Sequence, residues 1–432
     1  MIDPSQNMDI IGDLLIEDSH IIGVGTSIPV PDGCLMIDAN NLVVSPGFID
    51  IHCHLREPGE EHKETIVTGT MAGAKGGFTT LCAMPNTIPA MDNQAIILDV
   101  NRRIKESGVV KVIPIGSVTQ GRLGKILADM DGMASAGAMG FSDDGNPVAN
   151  RDIMLKALSK AKLLGLPIIN HCEDPEMSKN GVMNQGIVAS DLGLQGWPSI
   201  AEEVMVKRDI DLAMKTNAKV HLAHISTRGS VELIRHAKSI GVNITSEATP
   251  HHLTITEEWV RPNRNSDPRY NTNAKVNPPL RTSDDVDAIV SALSDGTIDC
   301  IGTDHAPHSI DDKSHSFQEA SFGISGLETA LGSLMSLVHK KKIELSTLIN
   351  CLTYAPARII NKPDICTGTL SINSKADVTI FDPTKKWQVQ PHLFRSKGKN
   401  TPISGEFLSG CTKTTIVEGK IVYESEGSTI VG

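Results

Sequence analysis

The sequence predicts an α/β fold: a (β/α)8 TIM-like barrel carrying a small β-sandwich domain built from both chain ends. Three observations predict it. Eight short apolar runs recur through the middle of the chain, and each ends in polar residues before a helical stretch begins. The runs are almost continuously apolar, as parallel strands covered on both faces must be. Residues 1–45 and 360–432 lack this pattern and read as short strands separated by turns.

In order, the runs cover residues 42–54, 77–87, 111–119, 137–145, 166–174, 219–227, 242–253 and 299–308. Amphipathic stretches at 61–75, 151–164, 201–216, 229–240 and 283–295 supply helices between them. The barrel is therefore expected over 46–359. The two ends, 1–45 plus 360–432, are expected to meet in one β domain, because domain termini tend to lie close together. Its clearest strands are Ala376-Asp-Val-Thr-Ile-Phe-Asp382 and Thr414-Thr-Ile-Val-Glu-Gly-Lys-Ile-Val-Tyr423. The Lys340-Lys341-Lys342 run follows a helical stretch and reads as a solvated helix end.

Composition narrows the function. Hydrophobic residues make up 40% and charged residues 21% of the 432, enough for a full core. Aromatics are only 3%, so the core is aliphatic and stacking platforms for bases are scarce. The net charge of −11 likewise argues against a nucleic-acid surface. The eight cysteines are scattered without C-x-x-C spacing, which fits reduced thiols in the cytoplasm. The N-terminal residues have no signal-peptide character, and no apolar stretch approaches the roughly 18 residues of a membrane helix. A cytoplasmic protein is expected, with neither nucleic acid nor membrane as partner.

Histidines and carboxylates concentrate where the runs end. The first closes on His52-Cys53-His54, and side chains two apart on a strand share a face, so both imidazoles can reach one ion. Cys53 then points into the helix layer. With 15 His, chance alone predicts about 0.5 such H-x-H pairs, so the spacing is weak evidence by itself. Position strengthens it, since barrel enzymes place their chemistry at the C-terminal ends of the strands. The fifth run ends in His171-Cys-Glu-Asp174, the sixth contains His221 and His224, and the eighth ends in Asp304-His-Ala-Pro-His308. Imidazoles and carboxylates converging on one mouth suit a catalytic zinc with an open position.

Pleat parity sets His221 against His224 and His305 against Asp304, making His221 and His305 structural. Only one of His251 and His252 can face inward, in a supporting or packing role. His20, His62, His236, His315, His339 and His392 have no constellation around them. The fourth run ends in Asp143-Asp144-Gly145; one of the two carboxylates faces the histidines, and parity leaves open which. Arg56 lies just past His54 and can grip a substrate carboxylate bidentately. Asn86 and Asn277 sit at strand or loop ends, where a turn cap and a ligand contact are equally good readings.

Together these segments resemble the dihydroorotases of the amidohydrolase superfamily, in the bacterial class I type. The resemblance runs over nearly the whole chain. It includes Asp50-Ile-His-Cys-His-Leu-Arg-Glu-Pro-Gly59, Met84-Pro-Asn-Thr87, Phe141-Ser-Asp-Asp-Gly145, His171-Cys-Glu-Asp174, Asn277-Pro-Pro-Leu-Arg281 and Thr303-Asp-His-Ala-Pro-His308. It implies two zinc ions per subunit, one on His52 and His54 and one on His171 and His224, with Asp144 between them. It makes Asp304 both a zinc ligand and the catalytic acid/base. It assigns substrate binding to His54, Arg56, Asn86, Asn277, His308, Phe322 and Gly323. The implied reaction is the reversible cyclisation of N-carbamoyl-L-aspartate to L-dihydroorotate plus water, in de novo UMP synthesis. Related hydantoinases bridge their metals with a carboxylated lysine, and the 137–145 segment has none. The competing readings are another cyclic amidohydrolase, hydantoinase- or allantoinase-like, and a non-catalytic scaffold for aspartate carbamoyltransferase. Such scaffolds have lost metal ligands, which are all present here. A homodimer and a complex with aspartate carbamoyltransferase are both compatible with a catalytic chain.

Overall fold

The computed structural model describes residues 1–262 and 270–425, and the backbone of 430–431. Two parallel sheets form its centre. The first pairs Phe48–Cys53, Phe78–Ala83 and Lys111–Pro114 in sequence order. The second pairs Ile168–Asn170, Val220–Leu222, Ile244–Ala248 and Cys300–Ile301, again in order and all parallel. Isolated parallel bridges connect them on both sides. Phe141 pairs with Gly116 and with Ile168, while His305 pairs with Cys53.

The fourth run was expected as a strand, yet it meets its neighbours only through the Phe141 bridges. Pro114 and Pro167 stand opposite it and have no N–H to give to a ladder. Their carbonyls still accept, from Met139 and Phe141, at 3.1 Å each.

The helices between strands begin and end where local chemistry dictates. Arg151–Leu164 has the range expected from the sequence: the Asn150 side chain accepts from the Asp152 and Ile153 amides, and Gly165 closes the helix at φ 71°. The stretch expected from 61 becomes helical only at Ile66–Gly76, because Thr65 and Thr68 form a reciprocal capping box. The segment before it forms turns, with the Lys63 amide donating to the Glu60 carbonyl at 2.8 Å, and buries Glu64 completely. Ile200–Thr216, Arg228–Ser239 and Ser283–Ser294 lie within one residue of expectation at each end.

The core has two main parts. Side chains such as Phe48, Cys53, Leu81, Phe141 and Leu222 pack beneath the helices. A separate cluster of Ile49, Ile51, Cys82, Ile113, Ile169 and Cys300 lies on the other side of the strands. Simple alternation would set His52 opposite Ile51, but the register shifts between Asp50 and Cys53. Buried Asp50 fixes this irregular turn of strand by accepting from the Thr303 amide at 2.8 Å and its hydroxyl at 2.5 Å. Burial raises the Asp50 carboxyl to about 7 despite these bonds.

The chain ends pair with each other at several points. Val43–Pro46 runs antiparallel to Val378–Gln388, which continues to Phe407–Val417 and Lys420–Glu424. Met36–Ile37 pairs with Ile430–Val431, and His20 bridges Lys375. Between the two long strands, residues 391–401 leave this sheet and return to the loops at the ends of the parallel strands. Among the described residues no helix is long and apolar enough to cross a membrane.

Candidate active site

The strand and segment ends bring His52, His54, Asp144, His171, His224 and Asp304 together, each at most 5% exposed. Asp144 stands at the centre. Its Oδ1 lies 3.4 Å from His52 Nε2, 3.4 Å from His224 Nε2 and 3.5 Å from His171 Nδ1, and its Oδ2 lies 3.5 Å from His54 Nε2. Asp304 Oδ1 is 3.0 Å from His54 Nε2 and 3.6 Å from His52 Nε2. The question parity left open has an answer: Asp144 faces the histidines. Asp143 turns away and accepts from the Val118 and Thr119 amides at 2.8 and 3.1 Å.

Backbone geometry helps to aim these groups. Arg56, His224 and Asp304 take φ of 61°, 34° and 44°, the left-handed region that side-chain-bearing residues seldom adopt. Such conformations cluster at functional sites, where surrounding contacts over-determine them.

The residues fit a cation. Candidate ligand atoms of His52, Asp144 and His224 lie within 4.8 Å of one another, as do those of His52, His54 and Asp304. An ion bonding each at roughly 2.0–2.2 Å needs this spacing. Buried His52 Nε2 and Asp144 Oδ1 have no hydrogen-bond partner. The electrostatics agree. Burial works against charge on His52, yet the Glu247 and Asp144 carboxylates raise its pKa well above normal. Burial also opposes protonation of His171, which Asp144 and Glu173 nevertheless lift to about 10. For Asp304, burial pushes upward but His54, His52 and His224 draw it down to about 2. Burial lowers His54, but a pocket that favours positive charge on His52 and His171 suits a divalent cation in the same place.

Beside this cluster lies a second group. Arg56 Nη2 is 3.3 Å from His308 Nε2, and Arg56 Nε donates to the Pro307 carbonyl at 3.3 Å. His308 Nε2 lies 2.8 Å from the Phe322 carbonyl, and burial together with the Arg56 charge lowers His308 to about 2. Gly323, at φ 146°, donates to the Lys275 carbonyl at 2.9 Å. Asn86 Oδ1 sits 2.7 Å from His54 Nδ1, and Asn277 Nδ2 donates to Glu173 at 3.0 Å while its Oδ1 is buried without a partner. Neither asparagine merely caps a turn.

Parity holds for His305 but not for His221: Val220 and Leu222 on either side of it pack beneath the helices, so its ring turns to the Glu247 side of the strand. His305 reaches Glu64 at 3.3 Å and accepts from the Gly326 amide at 3.1 Å, away from Asp144. Cys53 packs in the cluster beneath the helices.

Two carboxylates escaped the sequence reading. Glu247 Oε1 lies 2.5 Å from His52 Nδ1 and accepts from the His224 amide at 3.3 Å, while Oε2 lies 3.2 Å from His221 Nε2. His221 is therefore tied to the site through Glu247. Glu173 Oε2 lies 2.8 Å from His171 Nε2, on the ring edge opposite Asp144. A carboxylate inside the apolar 242–253 run was the available signal for Glu247, since buried charge needs a partner.

Comparisons with known proteins give this arrangement a context. A dihydro-orotase-like family model matches residues 41–230. The dihydroorotase of Geobacter metallireducens is 45% identical over 424 residues, covering 98% of each chain. That of Syntrophotalea carbinolica is 47% identical over 423 residues, 98% of this chain and 97% of the relative. In fold, the chain is similar to an L-hydantoinase from Arthrobacter aurescens, with a TM-score of 0.84 at 24% identity over 96% of this chain and 93% of that one. A dihydropyrimidinase from Brevibacillus agri gives 0.82 at 21%, over 96% and 92%. Sequence identity near one half along almost the full length of both partners places this chain in the dihydroorotase family.

Proposed function

We propose that this protein is a cytoplasmic dihydroorotase that interconverts N-carbamoyl-L-aspartate with L-dihydroorotate plus water, a step of de novo UMP synthesis. The observation that carries the reading is the four-histidine, two-carboxylate cluster around Asp144, with Arg56 and His308 beside it. The proposed architecture is a (β/α)8 barrel over 46–359, closed through the Phe141 and His305 bridges, with a β-sandwich domain from 1–45 and 360–432.

His52 and His54 would hold one zinc, His171 and His224 a second, with Asp144 bridging and Asp304 completing the first. Bound there, zinc would bring the pKa of water towards neutrality and polarise the amide carbonyl. The protein's own groups do the rest. Asp304, beside His54, takes the proton of the attacking water and delivers it to the departing ring nitrogen. In the synthetic direction it takes a proton from the carbamoyl nitrogen as the ring closes. Arg56 and His308 hold the substrate carboxylate, with Asn277 and the Phe322–Gly323 backbone against the ring. Asn86 orients His54, whose outer nitrogen it occupies. Orientation matters greatly when one molecule must cyclise.

The hydantoinase-like fold does not fix the substrate. The 137–145 segment offers Asp144 and no lysine of the kind the resemblance gives to hydantoinases, and Arg56 provides a carboxylate grip that hydantoin cannot use. Rates on dihydroorotate, hydantoin and allantoin, measured side by side, test this: turnover confined to dihydroorotate is expected, and preference for either other ring overturns it. A homodimer and docking on aspartate carbamoyltransferase follow from family resemblance, and sedimentation with and without that partner tests both.

A further inference from the structure

The loop carrying His308, Phe322 and Gly323 is long, spanning 306–325, and most of it is irregular. Loops of that length hold a defined shape only when something outside them ties them down. Lys275 holds its middle, donating to the Gln318 carbonyl at 2.9 Å, and a tie at both of its ends comes from residues 396–400, Ser-Lys-Gly-Lys-Asn, in the C-terminal part of the chain. Asn400 is 4% exposed, and its side-chain amide uses both ends. Its Oδ1 accepts from the His308 amide at 2.9 Å and from the Ser325 hydroxyl at 2.8 Å. Its Nδ2 donates to the Ala306 and Gly323 carbonyls, each at 3.0 Å. One amide therefore grips both ends of the loop. The Asn400 carbonyl adds a fifth bond by accepting from the Ser325 amide at 2.8 Å.

The remainder of the segment is built for close approach. A Cβ on Gly398 would meet Pro307 Cβ at 2.4 Å and Ser325 Oγ at 2.5 Å, so only glycine lets the backbone pass there. Ser396 donates to Glu64 through its hydroxyl, and the Lys397 amide donates to the same carboxylate at 3.1 Å. Glu64 also faces His305, one residue after Asp304.

We propose that Asn400 is a positioning residue for the reaction: it sets His308 and Gly323 in register with the rest of the substrate pocket. This rests on the reading that His308 and the Phe322–Gly323 backbone hold the substrate. If so, loosening the loop weakens binding of substrate and transition state alike, which raises KM and leaves kcat nearly unchanged.

The test uses the full-length, metal-loaded protein with Asn400→Ala and the nearly isosteric Asn400→Asp, which keeps volume but sets a carboxylate against two carbonyls. Both should raise KM for dihydroorotate about tenfold with kcat within about threefold. Both should also speed amide hydrogen exchange across 306–325 about tenfold, with exchange elsewhere unchanged. Should these variants fail to fold, Ser325→Ala removes one of the side-chain bonds and should move both readouts the same way, about threefold. Unchanged exchange in 306–325 would overturn the positioning role outright. Faster exchange with unchanged KM would show that the loop is held but does not hold substrate, and His308→Ala would then also leave KM unaltered. Full activity with normal exchange in Asn400→Asp would reduce the residue to packing volume and likewise overturn the proposal.

Discussion

Asp304 is pulled in two directions: burial favours its neutral form, while the surrounding imidazoles keep it ionised at neutral pH. An ionised carboxylate against His54 is ready to receive a proton, and its left-handed φ of 44° aims it there. Asp304→Asn keeps the shape and removes the basic oxygen. We expect kcat to fall roughly 10²–10⁴-fold in protein reloaded with zinc to a content checked by elemental analysis. Near-full turnover in the metal-loaded variant would remove Asp304 from the mechanism. Arg56 is argued differently, because its contribution is a planar fork rather than mere charge. Arg56→Lys should raise KM for dihydroorotate by about tenfold or more, worth about 1.4 kcal/mol. A KM equal to that of the unaltered enzyme would show that the carboxylate is held elsewhere.

The strands and loops decide whether such residues meet. Ile244–Ala248 delivers Glu247 to the outer nitrogen of His52, and the missing Cβ of Gly302 leaves room, since one there would lie 2.5 Å from Glu247 Oε2. Partners of this kind orient a ligating imidazole and fix its tautomer. Glu247→Gln should lower zinc affinity about 10–100-fold in a competitive chelator titration, and an unchanged affinity would contradict the role. The loop side offers a pH test. Burial draws Lys275 from its ordinary 10.5 to about 8, so below pH 8 the folded state carries a charge it disfavours. Between about 8 and 10.5 the unfolded chain still binds a proton that the folded chain has released, and stability rises with pH. Relative to Lys275→Met, the unaltered protein's urea midpoint should climb across that window; a constant difference would refute the account. At this scale the sequence was most informative where side chains alternate or helices cap. Arg151–Leu164 and the opposition of Asp304 and His305 were legible from local pattern alone, whereas His221 was not, since it turns to Glu247. The shift at Asp50–Cys53, the bridging role of Phe141 opposite two prolines, and the choice of Asp144 over Asp143 were not, because each depends on a neighbouring strand distant in sequence.

For the molecule as a whole, the last third of the chain does more than complete a β sheet. The stretch between its two long strands returns to the loops around the site, through Ser396 and Asn400. Sequence alone grouped that stretch with the small domain, because composition carries no trace of a contact made across so many residues. The parallel centre, by contrast, was readable as repetition, and its ends carry the cluster that composition and spacing singled out. Since hydantoinases share the fold, the chemistry rests on what lines the mouth rather than on the scaffold. The direct measurement is the ultraviolet absorbance change on dihydroorotate hydrolysis by chelator-stripped protein titrated with zinc. The account predicts no turnover without metal and activity that rises to a plateau near two zinc ions per chain. Turnover by the stripped protein, or none after full loading, would contradict it.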